Sequence, residues 1–166
     1  MPSKITPCLW FNGQAEEAAN FYTSFFKGGK VTQIQHYGEA GKEIHGHDPG
    51  SVMQVAFELD GQSFTALNGG PQFNFSEAIS FQIECEDQAE VDHYWQKLID
   101  DGDPTKQQCG WVADKFGVSW QVVPKALGEM ISGLDREKSQ RAFLAMMGMK
   151  KMDIAALKRA YDGVED

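Results

Sequence analysis

The segment NGQAEEAANFYTSFFK, residues 12–27, decides the fold. Ala15, Ala18, Ala19, Tyr22, Phe25 and Phe26 recur in it at helical spacing, with Gln14, Glu16, Glu17 and Asn20 on the other side. Residues three and four apart share a helix face, so this stripe predicts an amphipathic helix, which Gly28-Gly29 then ends. A shift of 73 residues lays Ala18, Phe21, Tyr22, Phe25 and Phe26 on Val91, Tyr94, Trp95, Leu98 and Ile99. Those five residues share a face of a second helix, predicted over residues 87–101 with Gly102 as its stop signal. Two matched helices imply a duplicated unit.

Outward from each helix the pattern turns to strands. Residues 5–11 and 79–85 are short apolar runs that precede the first and second helix. After the first helix, residues 31–37 are rich in strand formers, and residues 51–59 and 63–67 flank Asp60-Gly61. That dipeptide tolerates the positive φ angles of a tight hairpin turn. After the second helix, Asp114-Lys115-Phe116-Gly117 is the matching turn, leading into a run over 118–123. Residues 38–50, rich in glycine and charge, read as loop. The unit is therefore strand, helix, strands, and the fold class α+β.

Beyond Pro124 the strand signals cease. Residues 125–132 and 135–149 carry helical periodicity, with Asp135 as an N-cap, and Asp153 caps a third helix over 154–161. This tail reads as an appendage on the β-rich body or on a partner subunit. Met146, Met147, Met149 and Met152 read as packing groups, since thioethers fill irregular apolar gaps. The expected division is a body over residues 1–125, with modules at about 1–75 and 76–125, and a helical extension over 126–166.

Bulk composition narrows the function classes. The chain has 166 residues, 42% of them hydrophobic and 11% aromatic, enough for one domain or two very small ones with a real core. Its net charge of −9 repels phosphate backbones and anionic membrane surfaces, which recruit clustered Lys and Arg. Nucleic acid and membrane are thus not expected partners. No secretory leader and no long apolar run is evident, so a cytoplasmic protein is expected. Cys8, Cys85 and Cys109 form no CxxC pair and are odd in number, which fits reduced thiols. Cys8 and Cys85 stand in apolar runs, where a small hydrophobic packer is the ordinary role.

The phrases ITPCLWFNGQAEEAANFYTSFF, FELDGQSFTALNGG, ISFQIECED and DKFGVSWQVVPKAL, in that order, resemble the PhnB-like branch of the vicinal-oxygen-chelate superfamily. This branch, of the glyoxalase/bleomycin-resistance/dioxygenase type, often carries the label 3-demethylubiquinone-9 3-methyltransferase-like. The resemblance covers nearly the whole chain. It implies paired βαβββ modules whose curved sheets enclose a small-molecule cavity, usually in a homodimer. It does not vouch for methyl transfer. Gly28-Gly29 and Gly69-Gly70 end elements, whereas a Rossmann-type S-adenosylmethionine site needs a Gly-rich loop that opens a helix.

Metal-dependent members of that superfamily hold a divalent ion with His, Glu or Gln from the first and last strands. Resemblance to the first-strand pattern places Thr6 and Ser80 where a His often stands. Resemblance to the segment with a Glu four residues after a Gly places Thr65 after Gly61 and Gln121 after Gly117. The four residues bring no formal negative charge, so no tightly bound metal is expected, although a divalent ion remains an alternative. His45-Gly46-His47, with His36 or Glu43, is a second metal candidate whose ordinary reading is a solvated turn. His93 reads as surface. The expected cavity face carries Cys8, Trp10, Thr65, Asn68, Gln82 and Gln121 as ligand-binding groups, a mixture suited to stacking and hydrogen-bonding a polar small molecule. Glu84, the charged member, is the candidate catalytic acid or base if it is desolvated. Asn68 could instead make the turn before Gly69-Gly70, Trp10 could be a core anchor, and Glu84 could be the outward residue of an edge strand. The functional expectation is a small-molecule-binding protein. The alternatives are a metal-dependent lyase, isomerase or dioxygenase and, below that, a methyltransferase.

Overall fold

The computed structural model describes residues 3–164. It is α+β, with a four-stranded sheet, a three-stranded sheet and a helical C-terminal segment. The chain divides into two compact units, Met1–Phe75 and Ser76–Asp166.

The first unit contains β1 (Cys8–Phe11), α1 (Ala15–Phe25), β2 (Lys30–His36), the short α2 (Lys42–His45), β3 (Val52–Leu59) and β4 (Gln62–Asn68). Its sheet order is β1-β4-β3-β2, with β1 parallel to β4 and the other pairs antiparallel. Ala15, Ala18, Ala19, Tyr22 and Phe25 of α1 are buried, as the stripe requires. They meet the inward row Leu9, Phe11, Val55, Phe57, Leu59, Phe64 and Ala66. Each large side chain taken out of water there contributes about 1.5–3 kcal/mol, so this face dominates the unit's stability. The β3–β4 hairpin turns at Asp60 and Gly61, with φ of 46° and 78°. The expected loop over 38–50 also holds α2, a single helical turn closed by Gly46 at φ 76°.

The second unit contains β5 (Phe81–Cys85), α3 (Gln88–Ile99), β6 (Trp111–Ala113) and β7 (Ser119–Pro124), followed by α4 (Lys125–Ile131), α5 (Arg136–Met147) and α6 (Ile154–Asp162). Asp87 caps α3 by accepting from the Glu90 N–H at 2.9 Å, while the Glu90 carboxylate accepts from the Glu86 N–H at 2.8 Å. Val91, Tyr94, Trp95 and Leu98 are buried, four of the five positions that superpose on α1. The connection from β1 to α1 is one residue longer than that from β5 to α3. The strand match is therefore displaced by one from the helix match, with Trp10 corresponding to Glu84.

The second sheet has the order β5-β7-β6, one strand fewer than the paired βαβββ plan. Where a counterpart of β2 would run there is a 3-10 turn at Pro104–Lys106 and an isolated bridge between Gln108 and Trp111. Pro104 has no N–H for a ladder, and Cys109 and Gly110 take φ of 50° and 81°, outside the strand region. The Cys109 and Gly110 amides donate instead to the carbonyls of Met149 and Lys150, at 2.8 Å each. The segment between α5 and α6 thus supplies acceptors that a fourth strand would have offered.

The C-terminal helices are capped where the sequence indicates. Asp135 accepts from the amides of Glu137 and Lys138, and Asp153 from that of Ala156. Of the four methionines expected to pack, Met152 is buried beside Gly110, Met146 and Met149 are half-buried, and Met147 is exposed. The last is a correction, because α5 turns Met147 outward together with Phe143 and Leu144.

Candidate functional site

Strand alternation gives each sheet an inward face against its helix and an open face. In the first unit, the β1–β4 register sets Cys8 beside Thr65 and Trp10 beside Leu67 on the open side. Cys8 is exposed, and Trp10 and Thr65 are half-buried. Trp10 is held by its own unit. Its indole N–H donates to the Gly70 carbonyl at 2.9 Å, and its ring meets Phe73 edge-on at 4.9 Å. It also lies so close over Gly69 that a Cβ there would collide with it. At the far edge of the same face, Lys30 pairs with Glu58 at 3.0 Å.

Asn68 does not join this face. It pairs with Phe11, one residue out of phase with Trp10 and Thr65, and is 6% exposed on the inward side. Its Oδ1 accepts from the Ala15 N–H at 2.9 Å, and its Nδ2 donates to the Val52 carbonyl at 3.0 Å. Gln14, at the N-cap position of α1, makes no side-chain cap, so Asn68 satisfies one of the helix's unpaired amides from across the unit. Its backbone carbonyl accepts the Tyr37 hydroxyl at 2.6 Å. The ligand-binding expectation for Asn68 is corrected on these grounds: both ends of its amide are committed to structure.

His45 and His47 form a built cluster in place of a solvated turn. Both rings lie against Tyr37, with centroids at 4.7 and 4.3 Å. His45 accepts the His47 N–H at Nδ1 (3.0 Å) and faces the Ala40 carbonyl with Nε2 (3.1 Å), while His47 Nε2 faces the Gly69 carbonyl at 3.3 Å. These nitrogens serve backbone groups, so the imidazoles do not turn lone pairs toward a shared ion. His36, Glu43 and His93 are exposed.

In the second unit, the open face carries Gln82, Gln121 and Trp111 in one row across three strands, and Glu84 beside Val123 in the next. Gln82 and Glu84 are exposed, while Gln121 and Trp111 are half-buried. The Gln121 Nε2 donates to the Ser80 hydroxyl at 2.8 Å. Cys85, on the inward side, is the group that burial alters: desolvation, helped by the charges of Glu90 and Asp87, pushes its thiol up to about 12. An inert packer is the outcome there.

Beside this row lies a cavity of about 380 Å³, lined by Trp111, Ser119, Gln108, Thr105, Lys106 and Glu77. Lys106 and Glu77 pair across it at 2.9 Å. Their hydrogen bond holds the Glu77 carboxyl below, and the Lys106 ammonium above, its ordinary range. None of these cavity residues figures in the sequence expectation. Trp111 follows a left-handed Cys109-Gly110 corner, for which Gly110 is the local signal. A larger hollow of about 560 Å³ lies at the starts of α3 and α6, lined in part by Asp87, Asp92, Lys151 and Asp153. Asp87 and Asp153 cap the two helices there, and Lys151 pairs with Asp92 at 2.7 Å.

The superfamily resemblance raises the question of a divalent ion. Thr6, Thr65, Ser80 and Gln121 supply only hydroxyls and an amide, and the Ser80 and Gln121 groups already bond each other. Among the described residues no group of three or more His, Cys, Asp or Glu side chains could hold a metal. This donor set does not fit a tightly held transition metal, which needs convergent imidazole, thiolate or carboxylate ligands.

Residues 3–123 match the family described as 3-demethylubiquinone-9 3-methyltransferase. The chain is 37% identical to a PhnB protein from Bacillus cereus, provisionally described as such a methyltransferase, over 74% of this chain and 99% of that one, with a TM-score of 0.62. It shares its fold with protein PA1353 from Pseudomonas aeruginosa, at 22% identity over 74% of this chain and 97% of the other, with a TM-score of 0.56. No curated protein matches.

Proposed function

Starting from a chain that belongs to the 3-demethylubiquinone-9 3-methyltransferase, or PhnB-like, family, we propose that it binds a small polar molecule on the open faces of its sheets, without a tightly held metal and as a homodimer. The observation that carries the reading is the row of Trp111, Gln121 and Gln82 with Glu84 beside it, next to a cavity of ligand size. An indole wall, two amides and a carboxylate orient a polar solute by stacking and hydrogen bonds. On the first sheet's own open face this reading keeps Cys8, Trp10 and Thr65 as ligand-binding groups, and Glu84 is the group that would exchange a proton if the protein is an enzyme. The homodimer follows from the family resemblance, and light scattering of the purified protein at several concentrations tests it.

The binding experiment is metal analysis after chelation. Protein stripped by chelator and dialysed against zinc, nickel or iron retains well under one equivalent. Retention of about one equivalent that Gln121→Ala abolishes would favour the metal-assisted lyase, isomerase or dioxygenase instead. Methyl transfer, which the family description names, is not favoured, because among the described residues Gly28-Gly29 closes α1 and Gly69-Gly70 follows β4 where a Rossmann-type S-adenosylmethionine loop would open a helix. Calorimetry with S-adenosylmethionine gives no saturable heat on this reading.

A further inference from the structure

The polar groups of the second sheet's open face are unevenly matched. Gln121 donates an amide N–H to Ser80, and the oxygen of the same amide is an acceptor. Among the described residues no ion pair engages Glu84, the only charged side chain on the open face of β5, β6 and β7. The one cation in the adjoining cavity, Lys106, is already matched by Glu77 at 2.9 Å. An anionic solute would meet an unpaired carboxylate and a neutralised ammonium. A cationic one would meet the carboxylate, the Gln121 amide oxygen and the indole of Trp111, a ring whose quadrupole attracts positive charge. The net charge of −9 adds a favourable long-range field.

We infer that the molecule taken by this face carries a protonated amine set apart from a flat apolar body, the amine at Glu84 and Gln121 and the body on Trp111. This rests on the reading of the face as a binding surface. Trp111 stands two strands from the β5 edge and Glu84 one row along it, so strand spacings put the two on the order of 10 Å apart, which sets the length of the spacer.

Three isosteric probes test it: 4-phenylbutylamine, 4-phenylbutanol and 4-phenylbutyrate, titrated into the full chain at neutral pH and low ionic strength and followed by residue-resolved NMR. The expected result is that the amine shifts Gln82, Glu84, Gln121 and the Trp111 indole, with a Kd at least about tenfold below that of the alcohol. The acid should not shift these signals. Glu84→Gln keeps the fold, read from an unchanged spectrum elsewhere, and brings amine and alcohol to within about twofold of each other. Equal binding of amine and alcohol at these residues, preference for the acid, or a preference that survives Glu84→Gln would overturn the cation assignment and leave the binding surface standing. Shifts confined to other residues, or none with any of the three probes, would overturn both.

Discussion

The two open sheet faces come from matched units, yet they are finished differently. On the first, the indole of Trp10 is fixed by Gly70, Gly69 and Phe73, and Glu58 has Lys30 for a partner. On the second, the position that corresponds to Trp10 is Glu84, which has solvent in front of it. A polar group that the chain satisfies internally reports on stability, whereas one left to water is available for a solute. The first face should therefore respond to mutation mainly through folding, and the second mainly through binding.

The largest contrast lies across a single strand pair of each unit. Cys8 is exposed on the first open face and Cys85 is buried on the second inward face. With its thiol pushed up to about 12, Cys85 in the folded protein should react with iodoacetamide on the order of a thousandfold more slowly than in the unfolded chain. Cys8 should be alkylated first, and mass spectrometry of a time course at pH 8 decides it. The same group gives a pH dependence. Its folded value is raised above the unfolded one, so its stabilising contribution is complete below about pH 9 and is lost as pH rises toward 12. A flat melting temperature across that window in wild type, or an equal slope in Cys85→Ala, would contradict it.

Asn68→Ala comes next. It orphans the Ala15 amide and the Val52 carbonyl inside the first unit, and should lower stability by about 2–4 kcal/mol in denaturant melts. Trp10→Phe keeps the ring and loses the hydrogen bond to Gly70, a cost of about 1 kcal/mol. Gln82→Ala, on an exposed strand position, should stay within about 0.5 kcal/mol of wild type. If Gln82→Ala destabilised as much as Asn68→Ala, the division between a finished and an available face would fail.

Periodic and capping signals were legible in the sequence. The α1 and α3 stripes, the Asp60-Gly61 hairpin and the Asp135 and Asp153 caps all depend on neighbours within a few residues, and each stands where it reads. The bonds that Asn68 makes were not legible locally, because its partner is the start of α1, more than fifty positions away in the chain. The His45–His47 segment looked like solvated loop because its partner, Tyr37, enters from a different element. The fourth strand of the second sheet was expected from the family resemblance, and Pro104 and the left-handed Cys109-Gly110 corner stand where it would run. What replaced it lies near residue 150, beyond the reach of local pattern. Cys8, Trp10, Thr65, Gln82 and Gln121 do share open faces, as alternation indicates. Their use by a ligand depends on surfaces that no strand pattern encodes.

The bonds from Cys109 and Gly110 to Met149 and Lys150 have a consequence for how the polypeptide is made. Every strand of the first unit's sheet has been translated by Asn68, and that sheet can close as soon as it emerges. The second unit must wait: two amides and the recess beside Gly110 that receives Met152 have nothing to meet until some forty further residues have been translated. During that interval the corner before Trp111 is an open edge.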